Sequence, residues 1–92
     1  MIKRFRHKGL EEFFRTGSVR GVDARLAPKL GRMLSFLNEG PLPEAMDLPG
    51  YKLRPLKGDR KGAWSVWVSG GLRLVFEIDG EHATNVDLIN YH

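Results

Sequence analysis

The sequence predicts an α+β fold, with two N-terminal helices packed on one face of a twisted, mainly antiparallel sheet of four to five strands. Three observations carry this. Apolar residues recur at helical spacing in the N-terminal part of the chain. From Tyr51 onward the period changes from 3.6 to 2. Gly70-Gly71 and Asp79-Gly80 then separate alternating runs, and such pairs are hairpin signals.

Ile2–Phe5 reads as a short first strand with weak alternation. Lys8–Thr16 reads as a helix, because Leu10, Phe13 and Phe14 stand at i, i+3 and i+4, and Gly17 is a natural stop. A second helix is expected over Asp23–Asn38, where Leu26, Leu30, Met33, Leu34 and Leu37 share one face and Gly40-Pro41 ends the run. Asp23 suits its N-cap, yet Pro28 would then remove a hydrogen bond from the interior. The helix therefore starts near Ala27 or has a distorted first turn. Gly40–Gly50, with Pro41, Pro43 and Pro49, is a connector with room for one helical turn at Pro43–Met46.

Strands follow. Tyr51 and Leu53 alternate with Lys52 and Arg54. Trp64, Val66 and Val68 alternate with Ser65, Trp67 and Ser69. Leu72, Leu74, Phe76 and Ile78 alternate with Arg73, Val75 and Glu77, and Thr84, Val86 and Leu88 with Asn85 and Asp87. The helices should cover the Leu72/Leu74/Phe76/Ile78 side, since it is the more apolar one. An antiparallel sheet tolerates water on its other face. That face is expected to carry Lys52, Arg54, Ser65, Trp67, Ser69, Arg73, Asn85 and Asp87.

At 92 residues the chain has the length of one domain, 1–92. It holds 15 Lys and Arg against 11 Asp and Glu, a net charge of +4, and its isoelectric point is near 9.8. Such a balance suits a nucleic-acid or acidic partner. With no cysteine it has no disulfide and no thiol nucleophile, which fits a reducing cytoplasm. No apolar leader follows Met1, and no run approaches a membrane span, so a membrane partner is not expected. The three histidines lie far apart and paired carboxylates are missing from the expected site, so neither a metal nor a cofactor is expected. His7 and His82 read as surface residues.

A twisted sheet face bearing cations and an indole suits single-stranded RNA: cations meet phosphates, and Trp67 has a ring on which a base can stack. An ordinary solvated face, with Trp67 packed under a loop, is the plainer alternative. Two features argue for function. Arg73 stands mid-strand, where charge has no structural purpose. Lys57-Gly58-Asp59-Arg60-Lys61-Gly62 forms a basic loop that should open beside the same face, adding Arg60 and Lys61 to Lys52 and Trp67 as RNA-binding candidates.

These residues sit in a pattern that resembles the HigB-type toxins (proteic killer proteins) of bacterial type II toxin–antitoxin systems. The resemblance rests on Met1-Ile2-Lys3-Arg4-Phe5-Arg6-His7-Lys8-Gly9-Leu10, Pro49-Gly50-Tyr51-Lys52-Leu53, Leu56-Lys57-Gly58-Asp59-Arg60, Gly62-Ala63-Trp64-Ser65-Val66, Leu72-Arg73-Leu74-Val75-Phe76, Asp87 and the final Tyr91-His92. It implies a RelE-like α+β fold and a ribosome-dependent endoribonuclease that cleaves codons in the ribosomal A site, next to 16S rRNA. It also implies a HigA-type helix-turn-helix antitoxin, with operator DNA reached only through the antitoxin complex. The family's basic catalytic cluster maps onto Lys57, Arg73, Tyr91 and His92. Relatives often carry His where this chain has Arg54. An Arg stays protonated and cannot act as a neutral base, so the general base is left open.

Cleavage by transesterification needs a base for the 2′-OH proton, cations for the phosphorane and an acid for the departing 5′-oxygen. Arg73 and Arg54 suit the second task, since a guanidinium fork matches two phosphate oxygens. Lys57 suits charge stabilisation, or base catalysis if neighbouring cations lower its pKa. His92 suits the acid, the more so because an adjacent α-carboxylate favours imidazolium. Tyr91 is read as stacking on a base, orienting a phosphate or closing the core. A non-catalytic RNA- or antitoxin-binding module of the same fold is the alternative, with Arg54 as the sign of altered chemistry. A weaker possibility is a basic surface that serves only antitoxin or operator DNA.

Overall fold

The computed structural model describes residues 1–91. Its elements run α1 (Lys8–Thr16), α2 (Ala27–Glu39), β1 (Arg54–Pro55), β2 (Ala63–Ser69), β3 (Leu72–Asp79) and β4 (His82–Asn90). The four strands form one antiparallel sheet in the order β1-β2-β3-β4. The N-terminal segment lies parallel to β4 through two bridges, Ile2 to Ala83 and Phe5 to Val86. The expected first strand is thus a pair of contacts on the sheet edge.

The helices form where the apolar stripes predict. His7 caps α1: its Nδ1 accepts from the Leu10 amide at 2.9 Å, so this half-buried residue has a structural task that a surface reading missed. Gly17, at φ 81°, closes the helix by donating to the Phe13 carbonyl. Before α2 the chain makes a 3-10 turn over Ala24–Leu26, capped by the Asp23 carboxylate, and Pro28 then falls in the first turn of α2, where no amide partner is lost. Both resolutions of the Pro28 conflict therefore hold together. A further 3-10 turn, Glu44–Met46, occupies the connector and buries Met46.

Leu10, Leu30, Met33, Leu34 and Leu37 from the helices meet Val66, Val68, Leu74, Phe76, Ala83 and Val86 from the sheet in one buried cluster. The helices do cover the Leu74/Phe76 side. β4 departs from simple alternation. Glu77 pairs with Thr84 and Val75 with Asp87, so β4 carries one extra residue, and Asn85 takes φ 50°. Ala83 therefore replaces Thr84 in the core, while Thr84 and Asp87 share the outer face.

β1 is shorter than the alternation at Tyr51–Arg54 suggests. Arg54 pairs with Ser65, and the Tyr51 carbonyl accepts from the Trp67 amide at 2.6 Å. Three steps of this segment thus span two of β2. Lys52, at φ 51°, is the extra residue, and Pro55 has no amide to extend the ladder. No helix among the described residues is long and apolar enough to cross a membrane.

Candidate active site

The face away from the helices holds an open concavity of about 260 Å³ lined by Arg54, Leu56, Ser65, Arg73 and Tyr91. Register explains the assembly. Arg54 lies opposite Ser65, and Arg73 lies opposite Trp67, two residues further along β2 on the same face. Arg54 therefore stands directly across from Ser65, and Arg73 diagonally to it on the other side. Ser65 is fully buried, and its Oγ accepts from Arg73 Nη1 at 3.1 Å, which turns Arg73 toward Arg54.

Nothing acidic balances this pair within the lining. Partial burial holds the Arg73 pKa below that of a free guanidinium, and the Arg54 charge lowers it further; an ionised Tyr91 would act in the opposite sense. Both causes of the depression reflect a charge short of solvent and short of counter-charge. An anion between the two arginines relieves both.

Tyr91 reaches the concavity because the chain end is tied back to the β2–β3 hairpin. Its amide donates to the Gly71 carbonyl at 2.8 Å, and a Cβ on Gly71 would run into the Tyr91 carbonyl. Gly71 thus allows the C-terminal segment to lie against the hairpin. Tyr91 is 41% exposed, so its ring is not a core aromatic. His92 lies outside the described residues.

Lys57, Arg60 and Lys61 are exposed in the tip of the β1–β2 hairpin, where Gly58–Arg60 form a 3-10 turn. Lys57 directly follows Leu56, whose amide donates to the Ala63 carbonyl at 2.9 Å, but none of the three lines the concavity. Lys52 and Trp67 lie to the other side. Trp67 Nε1 donates to the Gly70 carbonyl at 2.7 Å, and Lys29 Nζ and Lys52 Nζ stand over its ring at 4.5 and 5.1 Å from the centroid. The ring on which a base was expected to stack already carries two ammonium groups.

The expected residues thus divide into three neighbouring groups: Arg54, Arg73 and Tyr91 in the concavity, Lys57, Arg60 and Lys61 at the hairpin tip, and Lys52 with Trp67 beside Arg73. Two contributors were not singled out from sequence. Ser65 was placed on this face, but its burial and its hold on Arg73 depend on neighbours. Lys29 belongs to α2, and no strand pattern reveals that it reaches the sheet. Among the described residues no group of three or more His, Cys, Asp or Glu is placed to hold a metal ion.

Comparison with known proteins adds the family. The profile described as "RelE-like toxin of type II toxin-antitoxin system HigB" matches residues 3–92. The chain belongs to the HigB-like toxins. It is 35% identical over 92 residues to Endoribonuclease HigB of Proteus vulgaris, and the match covers 100% of both chains. Two solved structures share the fold. A chain of the YoeB-YefM complex from Staphylococcus aureus is 18% identical with a TM-score of 0.64, and the YoeB/ParE toxin from Agrobacterium tumefaciens is 24% identical with a TM-score of 0.60. Each match covers 100% of this chain and 95% of the other. The RelE-like α+β architecture of this HigB-like toxin is therefore shared at low identity, while its family is set by the full-length sequence match.

Proposed function

We propose that this HigB-like toxin is an endoribonuclease that cleaves mRNA in the ribosomal A site, with the scissile phosphate held between Arg54 and Arg73. The observation that carries this is the concavity itself, where two guanidinium groups converge around buried Ser65 with no acidic lining residue. The activity in the name of the Proteus vulgaris relative points the same way. Arg73 and Arg54 stabilise the charge that grows on the phosphorane, and Tyr91 orients the phosphate or an adjacent base at the rim. Lys57 adds positive charge from the hairpin tip. His92 protonates the departing 5′-oxygen as the 2′-oxygen bonds to phosphorus and the P–O5′ bond breaks, the 2′-OH proton passing to water.

The reaction in this reading is metal-independent. A site lined by cations repels a divalent ion and itself supplies the charge that the ion would bring. The proposed setting is the cytoplasm. The mRNA is presented there next to 16S rRNA, and a HigA-type helix-turn-helix antitoxin neutralises the toxin and carries it to operator DNA. No cofactor is required.

Primer extension on ribosomes with a defined A-site codon tests the reading. The parent protein should cut within that codon. Arg73→Ala should slow cleavage by about 10²–10³, the usual effect of losing one donor to a developing oxyanion. Deletion of His92 should abolish the pH-dependent acid limb. One observation favours a second reading, a non-catalytic RNA- or antitoxin-binding module: Arg54, a permanent cation, lines the cavity where relatives often have a base. A parent protein that binds ribosomes but leaves the mRNA intact would select that module.

A further inference from the structure

We propose that Lys29 and Lys52, seated over the Trp67 ring, form a second phosphate subsite that holds the RNA backbone beside the cleavage cavity. The proposal rests on the nuclease reading above and extends it to a residue of α2.

The two lysines come from remote parts of the chain and meet at one ring, 4.5 and 5.1 Å from its centroid. Like charges do not gather without cause, and each is fixed separately. Lys29 Nζ donates to the Val68 carbonyl at 2.6 Å, which uses one of its three donors and leaves two. Lys52 is the extra residue of a bulge-like step at φ 51°, and such steps re-aim a side chain. The ring is fixed as well, by the Nε1 bond to Gly70. A cation–π contact stabilises each ammonium without neutralising it. Among the described residues neither lysine belongs to an ion pair. Two charged donor groups are thus each held within 5.1 Å of one ring centroid, with donors unspent, Lys29 from α2 and Lys52 from the segment that leads into β1.

The position makes the ligand a nucleic-acid backbone and not a free anion. Trp67 is the direct cross-strand partner of Arg73, and Arg73 lines the cavity. A strand whose scissile phosphate sits between Arg54 and Arg73 therefore runs past the Trp67 ring within one cross-strand step. There it meets ammonium groups, whose compact charge grips a phosphate from many directions. The ring serves as their seat and not as a base-stacking platform.

The probe is a 5′-fluorescein oligouridylate with every 2′-OH methylated, so that it binds without being cut, followed by anisotropy across a salt series. The double variant Lys29→Gln/Lys52→Gln should bind roughly tenfold more weakly, as expected for lost charge-assisted hydrogen bonds. The slope of log affinity against log salt should shrink by about 0.7, one phosphate on a single strand. Trp67→Leu should reduce affinity and slope together. Thermal melting of the lysine variants, which change only exposed or half-buried side-chain ends, verifies that they fold. A double variant with parental affinity and slope would overturn the subsite. So would a fall in affinity at full slope in Trp67→Leu, because that is the signature of lost stacking. Failure of the nuclease reading shows elsewhere, in a parent protein that binds ribosomes but leaves the A-site codon intact.

Discussion

Arg73 depends on a neighbour with no charge of its own. Ser65 is buried and spends its hydroxyl oxygen on Arg73 Nη1, so it positions the guanidinium without touching substrate. Ser65→Ala keeps nearly the same volume and leaves both arginines in place. It should lower kcat for A-site cleavage by roughly tenfold with little change in KM, since a hydrogen bond to a charged group is worth about 1.5–3 kcal/mol and part of it is recovered from water. Single-turnover rates on ribosomes measure the split. An equal rise in KM would mean that Ser65 supports binding instead. Sequence alone came close at this scale. Alternation put Lys52, Arg54, Ser65, Trp67 and Arg73 on one face, because side-chain direction in a strand follows from parity. It did not show which of them are covered. Ser65 is fully buried although it lines the concavity with Arg54, Leu56 and Tyr91, and burial of that kind is not written in any local run. Lys29 was missed for a related reason: its helix reads as an amphipathic element packed on the core, and its long side chain reaches round to the sheet.

At the scale of elements, two departures from alternation share one device, beside a further register shift between Trp67 and Ser69 in β2. Lys52 and Asn85 are the only non-glycine residues with positive φ among those described, and each is an extra residue in its segment. The sequence around Asn85 fits an unbroken strand, so the bulge was not legible there; an Asn tolerates the left-handed region, but a lone Asn predicts nothing. The bulge keeps Ala83 and Val86 inward while Asp87 stays outward. Asn85→Gly should be near neutral, whereas Asn85→Val should cost about 1–2 kcal/mol, the penalty for a β-branched residue held left-handed. Chemical denaturation of both variants measures this, and equal midpoints would refute the bulge.

A second element, the N-terminal segment, is fastened to the β3–β4 turn by Lys3 Nζ and Asp79 Oδ2 at 3.0 Å. The Lys3 hydrogen bond is the main reason that the Asp79 pKa is lowered, with the Lys3 charge adding to it. A carboxylate whose folded pKa lies below its unfolded value contributes stability above the unfolded pKa and loses it as pH falls through the folded one. The pair should therefore add to the thermal midpoint near neutral pH, begin to lose that contribution near about pH 4, the range of an ordinary Asp, and lose it fully only below the lowered folded pKa. Both groups are largely exposed, so the effect is small. Asp79→Asn should lower the midpoint slightly at pH 7 and by less at pH 3, as read by melting at both pH values.

Across the whole molecule the charges are sorted. All five ion pairs among the described residues take their cation from the first 25 positions: Lys3, Arg6, Arg15, Arg20 and Arg25. Every Lys and Arg from Lys29 onward is free of an ion pair there, including Lys52, Arg54, Lys57, Arg60, Lys61 and Arg73. The asymmetry lies in the pairing and not in the count of charges: the cations of the first 25 positions are paired with Glu11, Glu12 and Asp23 nearby and with Glu77 and Asp79 of β3, while those of the sheet face have no ion pair among the described residues. Unpaired surface charge speeds encounter with a polyanion far more than paired charge does, and salt screens it. Removing three cations from the hairpin tip (Lys57→Gln, Arg60→Gln and Lys61→Gln) should therefore slow association with ribosomes, by roughly tenfold in low salt and much less near physiological ionic strength. Removing three from the paired side (Arg15→Gln, Arg20→Gln and Arg25→Gln) changes the net charge by the same amount and should slow association far less. Stopped-flow binding at two salt concentrations compares the two triples. Equal losses would mean that only total charge steers the protein. An unequal loss confined to low salt would mean that the hairpin tip faces the ribosome as the toxin docks.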